Sequence, residues 1–284
     1  MPRLTTIPFR NGFELAPYEI DATGIVTFTD GTNENITPNQ LQCEGYGYTY
    51  DRAEGVCRAQ SFTMGLDSAN VSNTAKGNGN TFELGTDNST VIGENNTVRG
   101  LSRNNIIVGN QNEIANSVNN AFVYGTLGEA TADNSIVLGG NAPTDNLSER
   151  QSIHLMYGTQ TTAGGTVDSY LNNISGNYFT IPDNTAMYFH ADVLAVRVGG
   201  TSEAGSAGDF ASWVERGVVI NKKGTLSIER ERDAIKSSGT VTNWRPTATV
   251  DGTNFIMDVR GATDVTIEWA SNIRFTQIKT GVAL

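Results

Sequence analysis

The apolar positions of this chain change their period along its length. In the middle, Ile106-Ile107-Val108, Ala121-Phe122-Val123-Tyr124 and Ile136-Val137-Leu138 are apolar at every position. The segments between them, Asn96-Thr97-Val98-Arg99 and Asn110-Gln111-Asn112-Glu113-Ile114, alternate or are mostly polar. Further on, Val265-Thr266-Ile267-Glu268-Trp269 and Ile273-Arg274-Phe275-Thr276-Gln277-Ile278 alternate at period two. A continuous apolar run predicts a strand covered on both faces, and alternation predicts a strand with one wet face. Helix-compatible stretches are few, and Asp209 to Arg216 is the best of them.

The apolar runs belong to a repeat. Asn88-Ser89-Thr90-Val91-Ile92-Gly93 returns as Asn104-Asn105-Ile106-Ile107-Val108-Gly109, as Asn119-Asn120-Ala121-Phe122-Val123-Tyr124-Gly125 and as Asn134-Ser135-Ile136-Val137-Leu138-Gly139. A period of about 14 to 16 residues suits one coil of a β-solenoid. Asparagine tolerates left-handed backbone angles, which suits a corner repeated in every coil, and stacked asparagines form ladders. A lone coil buries only the inward side of each strand. The outward residues Ile106, Val108, Phe122, Tyr124, Ile136 and Leu138 therefore need a neighbour, and rotational symmetry about a fibre axis supplies one. The expectation is a homotrimer with these residues facing the axis.

The fold expected is all-β: an elongated Asn/Gly-rich β-solenoid shaft with a C-terminal antiparallel β-knob. Residues 1–38, punctuated by Pro2, Pro8, Pro17 and Pro38, read as a segment too poor in apolar runs for a core of its own. Residues 39–71 read as a small irregular Tyr/Cys module, 72–146 as the shaft, 147–208 as a β-rich transition and 209–284 as the knob. In the last, Gly217 to Ile220 and Thr225 to Ile228 flank a turn ending in Gly224 and predict a hairpin.

Composition removes several functions. A net charge of -11 argues against nucleic acid, which needs clustered Lys and Arg, and against anionic lipid. No run of apolar residues reaches the roughly 18 needed to span a bilayer, so no membrane insertion is expected. The N-terminus lacks the apolar core of a secretion signal, which suggests folding in a cytoplasm. Cys43 and Cys57 match no zinc or redox spacing. The turn-rich stretch between them permits a disulfide, but the compartment favours two thiols.

Candidate chemistry is sparse. His154 and His190 lie in apolar strands and read as packed residues, and no nucleophile elbow, zinc pair or phosphate loop is present. Glu83, Asp87, Glu94 and Glu113 are acids of the kind a polysaccharide-cleaving pair needs, without a motif to single any out. No catalytic residue, metal or cofactor is expected. Trp244 and Arg245, just before Pro246, are the candidates for binding a sugar ring or a protein partner, with core packing equally open for Trp244. Trp269, in register with Val265 and Ile267, reads as core.

The Asn and hydrophobe repeats ending in Gly resemble the stacked coils of YadA-like trimeric adhesin heads. The opening Met1 to Glu14, the Cys43 and Cys57 segment and the Asn-rich coils are similar to virion structural proteins of tailed phages, particularly those infecting marine cyanobacteria. The stretch from Asp209 to Ile278 is similar to terminal β-knobs of phage fibres. The resemblance implies a trimeric appendage, made in the host cytoplasm and placed on the virion. Its N-terminal segment (Arg3, Phe9, Arg10 and Phe13) would attach to other virion proteins, and its tip would meet a host glycan or protein. The expected function is a non-enzymatic fibre for host attachment, with a head fibre or capsid decoration and a tailspike-type depolymerase as alternatives.

Overall fold

The computed structural model describes residues 8–21, 23–52, 54–59, 72–202, 205–238, 241 and 243–280. The chain forms two units, residues 1–71 and 72–284, each with its own core.

In the first unit, β1 (Ala16–Ile20) pairs antiparallel with β2 (Val26–Thr29). Helix α1 (Gln40–Gly45) follows, then the hairpin of β3 (Thr49–Asp51) and β4 (Val56–Arg58). The helix is too short to leave a periodic apolar signal, but its start is well specified. The Asn39 side chain accepts from the Gln42 N–H, and the Gln42 side chain accepts from the Asn39 N–H. Cys43 and Cys57 form a disulfide with Cα atoms 5.6 Å apart, which corrects the expectation of two thiols. Both are buried with Val26 and Phe28. The expected boundary at residue 38 also fails, because residues from either side of it make this one core.

The repeat winds as a β-solenoid with two parallel ladders. One ladder stacks β5 (Thr74–Lys76), β7 (Thr90–Glu94), β9 (Ile106–Asn110), β11 (Phe122–Thr126) and β13 (Ile136–Gly140). The other stacks β6 (Thr81–Phe82), β8 (Thr97–Val98), β10 (Glu113–Ile114) and β12 (Glu129–Ala130). Val91, Ile107, Val123 and Val137 lie in register on the first ladder, and Val98, Ile114 and Ala130 on the second. All are buried and fill the interior between the ladders.

Asparagine has two separate duties here. At one corner Asn88, Asn104, Asn120 and Asn134 take left-handed angles, which their short polar side chains tolerate. At the next corner Asn95 shares that conformation with Gln111 and Leu127, so coil stacking imposes it even where the side chain does not favour it. Inside, the buried Asn112 donates to the Asn96 Oδ1 and the Gly125 carbonyl and accepts from the Gly128 N–H. Backbone groups at the turn that would otherwise be orphaned are satisfied this way.

Strand β14 (Arg150–Thr161) runs antiparallel to β13 and ends the parallel array. Beyond it come β15 (Thr166–Leu171), β16 (Phe179–Thr180), β17 (Thr185–Gly199), β18 (Phe210–Lys222) and β19 (Thr225–Ser237). The last strands are β20 (Arg245–Asp251), β21 (Asn254–Arg260) and β22 (Thr266–Lys279). The order β14-β22-β17-β18-β19 makes a long antiparallel layer, and β15, β21, β20 and β16 form a smaller layer on its inner face. Aromatic rings fill the space between: Phe255 meets Phe189 and Phe275, each at 5.1 Å, and Trp213 stacks on Trp269 at 5.7 Å. The hairpin β18–β19 turns through Lys223 and Gly224, both left-handed, as its sequence predicts.

Two expectations change in this region. Asp209 to Arg216 is not a helix, because most of it belongs to β18, where Ala211, Trp213 and Glu215 alternate inward. The transition and the knob are not separate either, since β22 from the end of the chain sits between β14 and β17.

Candidate functional site

The residues expected to face a trimer axis share the outer face of the first ladder. Ile106, Tyr124, Ile136 and Leu138 are exposed, with Tyr124 at 55%, and Val108 and Phe122 are half-buried. Register places Ile106, Phe122 and Ile136 in one row and Val108, Tyr124 and Leu138 in another. The coil's own interior is filled by the residues between them, so this stripe stands open in the single chain.

The acidic candidates on the coils do not make a catalytic pair. Glu83 and Glu113 lie on either side of Arg99, whose Nη1 reaches Glu83 at 2.7 Å and whose Nη2 reaches Glu113 at 2.9 Å. Both carboxylates are occupied by one guanidinium. Glu94 is exposed, and Asp87 accepts from the Ser72 hydroxyl.

The two histidines flank one arginine. His154 on β14 and His190 on β17 are both in register with Arg274 on the intervening β22. Burial, then the charge of Arg274, pulls His154 below its ordinary value. His190 Nε2 lies 3.3 Å from Asp192 Oδ1.

The binding candidates separate. Trp244 is buried at 6% and its ring lies 6.4 Å from that of Trp269, so core packing explains it and its faces are not open to a sugar. Arg245 is exposed at the start of β20. Of the anchor candidates, Arg10 and Phe13 fold back onto Tyr46. The Arg10 N–H donates to the Tyr46 hydroxyl at 2.9 Å, and the Phe13 ring lies 5.5 Å from the Tyr46 ring. Phe9 is exposed, and Arg3 lies outside the described residues.

A constellation that sequence reading missed lies on the outward face of the small layer. Asp168 on β15 and Asp258 on β21 are direct cross-strand partners. Their carboxyl groups therefore neighbour each other on one face of the sheet. The Tyr178 hydroxyl donates to Asp168 Oδ2, and the Thr249 hydroxyl donates to Asp258 Oδ2 at 3.0 Å. Burial pushes the Asp258 carboxyl above its ordinary value. The neighbouring Asp168 carboxyl adds to the rise, while Thr249 and the more distant Arg230 oppose it. The Tyr178 hydroxyl is also raised, first by its hydrogen bond to Asp168. Asp258 is thereby a carboxylic acid that holds its proton to higher pH than a free one.

Beside this group, a cleft of about 380 Å³ opens between the last coils and the small layer. Val118 and Asp133 belong to its coil wall, and Tyr178 and Phe179 to the other. Tyr178 thus faces the cleft and the acid pair together. Among the described residues no group of His, Cys, Asp and Glu is arranged to hold a metal ion. No helix among them is long and apolar enough to cross a membrane.

No family model and no curated protein matches the chain. Solved structures similar to it include three phage tailspikes. The Acinetobacter baumannii phage AM24 tailspike protein is similar at 9% identity over 74% of this chain and 51% of its own, with a TM-score of 0.30. The tailspike protein of Acinetobacter phage vB_ApiP_P1 is similar at 12% identity over 68% and 47%, with a TM-score of 0.21. A tailspike protein of A. baumannii bacteriophage Fri1, a capsular polysaccharide depolymerase, is similar at 7% identity over 71% and 46%, with a TM-score of 0.23. The chain spans about half the length of these proteins. The expectation of a non-enzymatic chain is corrected by this finding, since a depolymerase stands among the neighbours.

Proposed function

We propose that this chain is part of a phage virion appendage of the tailspike type, one that binds and cleaves a surface polysaccharide. The observation that carries the reading is the acid pair beside the cleft. Asp258 keeps its proton more readily than an ordinary carboxyl, as a general acid for a glycosidic oxygen must. Carboxyl groups that flank a scissile bond stand about 5 Å or more apart. Asp168, the direct cross-strand partner of Asp258, serves instead to favour its protonated form. Tyr178 links the pair to the cleft, where a sugar would lie against its ring.

The outward stripe of Ile106, Val108, Phe122, Tyr124, Ile136 and Leu138 supports assembly as a homotrimer through the coils, because apolar rows in register match a copy of themselves. The exposed Phe9 supports attachment of the N-terminal unit to another virion protein. Release of reducing ends from capsular polysaccharide by the full chain, and its loss in Asp258→Asn, tests the enzymatic reading. The mass in solution tests the trimer, which a stable monomer at micromolar concentration would exclude.

A further inference from the structure

Two residues from the acid pair, the same sheet face carries an arrangement that folding does not account for. Arg245 on β20 and Arg260 on β21 are direct cross-strand partners, and both are exposed. Among the described residues neither makes a salt bridge. Like charges directly opposite each other weaken a sheet. The chain has 19 Lys and Arg against 30 Asp and Glu, so two adjacent arginines without an acid partner run against its own composition.

The surroundings add to the positive charge at this end. Arg232 reaches over β20, its Nη1 donating to the Pro246 carbonyl at 2.6 Å. Arg230 is neutralised separately, with its Nη1 3.2 Å from the buried Glu215. Along β21, Arg260 and Asp258 are two positions apart and project from one face. Along β15, Tyr170 stands two positions from Asp168, and its ring lies 5.7 Å from that of Tyr178. The face therefore runs from a guanidinium pair, through the Asp168 and Asp258 carboxyls, to two tyrosines.

We propose that Arg245 and Arg260 form a subsite for the carboxylate of a hexuronate, and that the polysaccharide taken is an acidic, uronate-bearing one. Guanidinium groups bind planar carboxylates through paired N–H donors, and a uronate polymer presents such a group on the sugar ring itself. One sugar held there lies beside Asp258 and places its neighbour toward the tyrosines. The inference rests on the polysaccharide-cleaving reading above and names its substrate class.

The test is binding of the full chain to labelled oligosaccharides from polygalacturonate, alginate and hyaluronan, with dextran as the neutral control and dextran sulfate as the sulfated one. At least one uronate oligosaccharide should bind more tightly than dextran sulfate or dextran. Its affinity should fall at least tenfold in Arg245→Gln/Arg260→Gln and less in each single variant. Equal uronate binding by the double variant, no uronate binding by the native chain, or equal binding of dextran sulfate would overturn the subsite. Melting of the variants no lower than that of the native chain separates lost charge from lost fold. Uronate binding without cleavage would sink only the enzymatic reading, and cleavage of a neutral polysaccharide without uronate binding would sink only the subsite.

Discussion

Gly93 and Gly109 stack so closely that a Cβ on Gly93 would lie 1.9 Å from the Gly109 carbonyl oxygen. The same contact recurs between Gly109 and Gly125, also at 1.9 Å, and these three glycines have φ values between +112° and +134°. Each of these three glycines is required twice, by the backbone angle and by the next coil.

Gly109→Ala should therefore cost more than about 3 kcal/mol of stability, since strain and overpacking add. Gly140→Ala is the control, because its φ is unrestricted and its Cβ would meet nothing nearer than 3.9 Å. It should stay within about 0.5 kcal/mol, as substitutions away from special features do. Denaturant melts of both variants check the difference.

Asn112→Leu should destabilise the coils by about 3 kcal/mol, because the Gly125 carbonyl and the Gly128 N–H lose their side-chain partner and the Asn96 Oδ1 keeps only the backbone N–H of residue 112. Hydrogen exchange gives the local readout. The Gly128 amide should lose protection in the variant while the amides of β17 and β22 keep theirs.

The repeat, its ladders and its corners were legible because each coil reads its neighbours in register, so local pattern and structure agree. The outward stripe was legible for the same reason. What escaped sequence reading depends on long-range pairing. Asp168 and Asp258 become partners only when β15 meets β21 across some ninety residues, and nothing in either strand announces the other. Trp244 and Arg245 are adjacent in sequence yet fall on opposite sides of the small layer, which separates core from surface only once β20 is known to be a strand. The disulfide was missed because the compartment argument outweighed the turn-rich spacing of its cysteines.

His154 gives a pH dependence of known sign. Its folded pKa lies below the ordinary value of about 6.5, so the unfolded chain binds its proton first as pH falls. Stability should decline from about pH 6.5 down to the folded pKa and then level off. His154→Gln should flatten that part of the melting profile between pH 7.5 and pH 5; an unchanged slope would assign it to other groups.

Reducing the Cys43–Cys57 disulfide should loosen the first unit and spare the second. A closed loop of about fifteen residues contributes on the order of 3 kcal/mol. Limited proteolysis with and without reductant should show faster cleavage within residues 8–59 and no change in the coils.

Asp258 sets a trade between stability and activity. Its folded pKa is raised, so its contribution to stability is fully present below the unfolded value and is lost as pH rises through the folded one. Asp258→Asn removes that loss and should raise the melting temperature at pH 7 while abolishing cleavage.

The most direct measurement is the molar mass of purified capsular polysaccharides, acidic and neutral, followed by size-exclusion chromatography during incubation with the full chain. The account predicts that the native chain shortens an acidic polysaccharide and generates reducing ends in step, whereas Asp258→Asn, folded and at least as stable, leaves it intact. An acidic panel left at full length by the native chain, or shortened equally by Asp258→Asn, would contradict it.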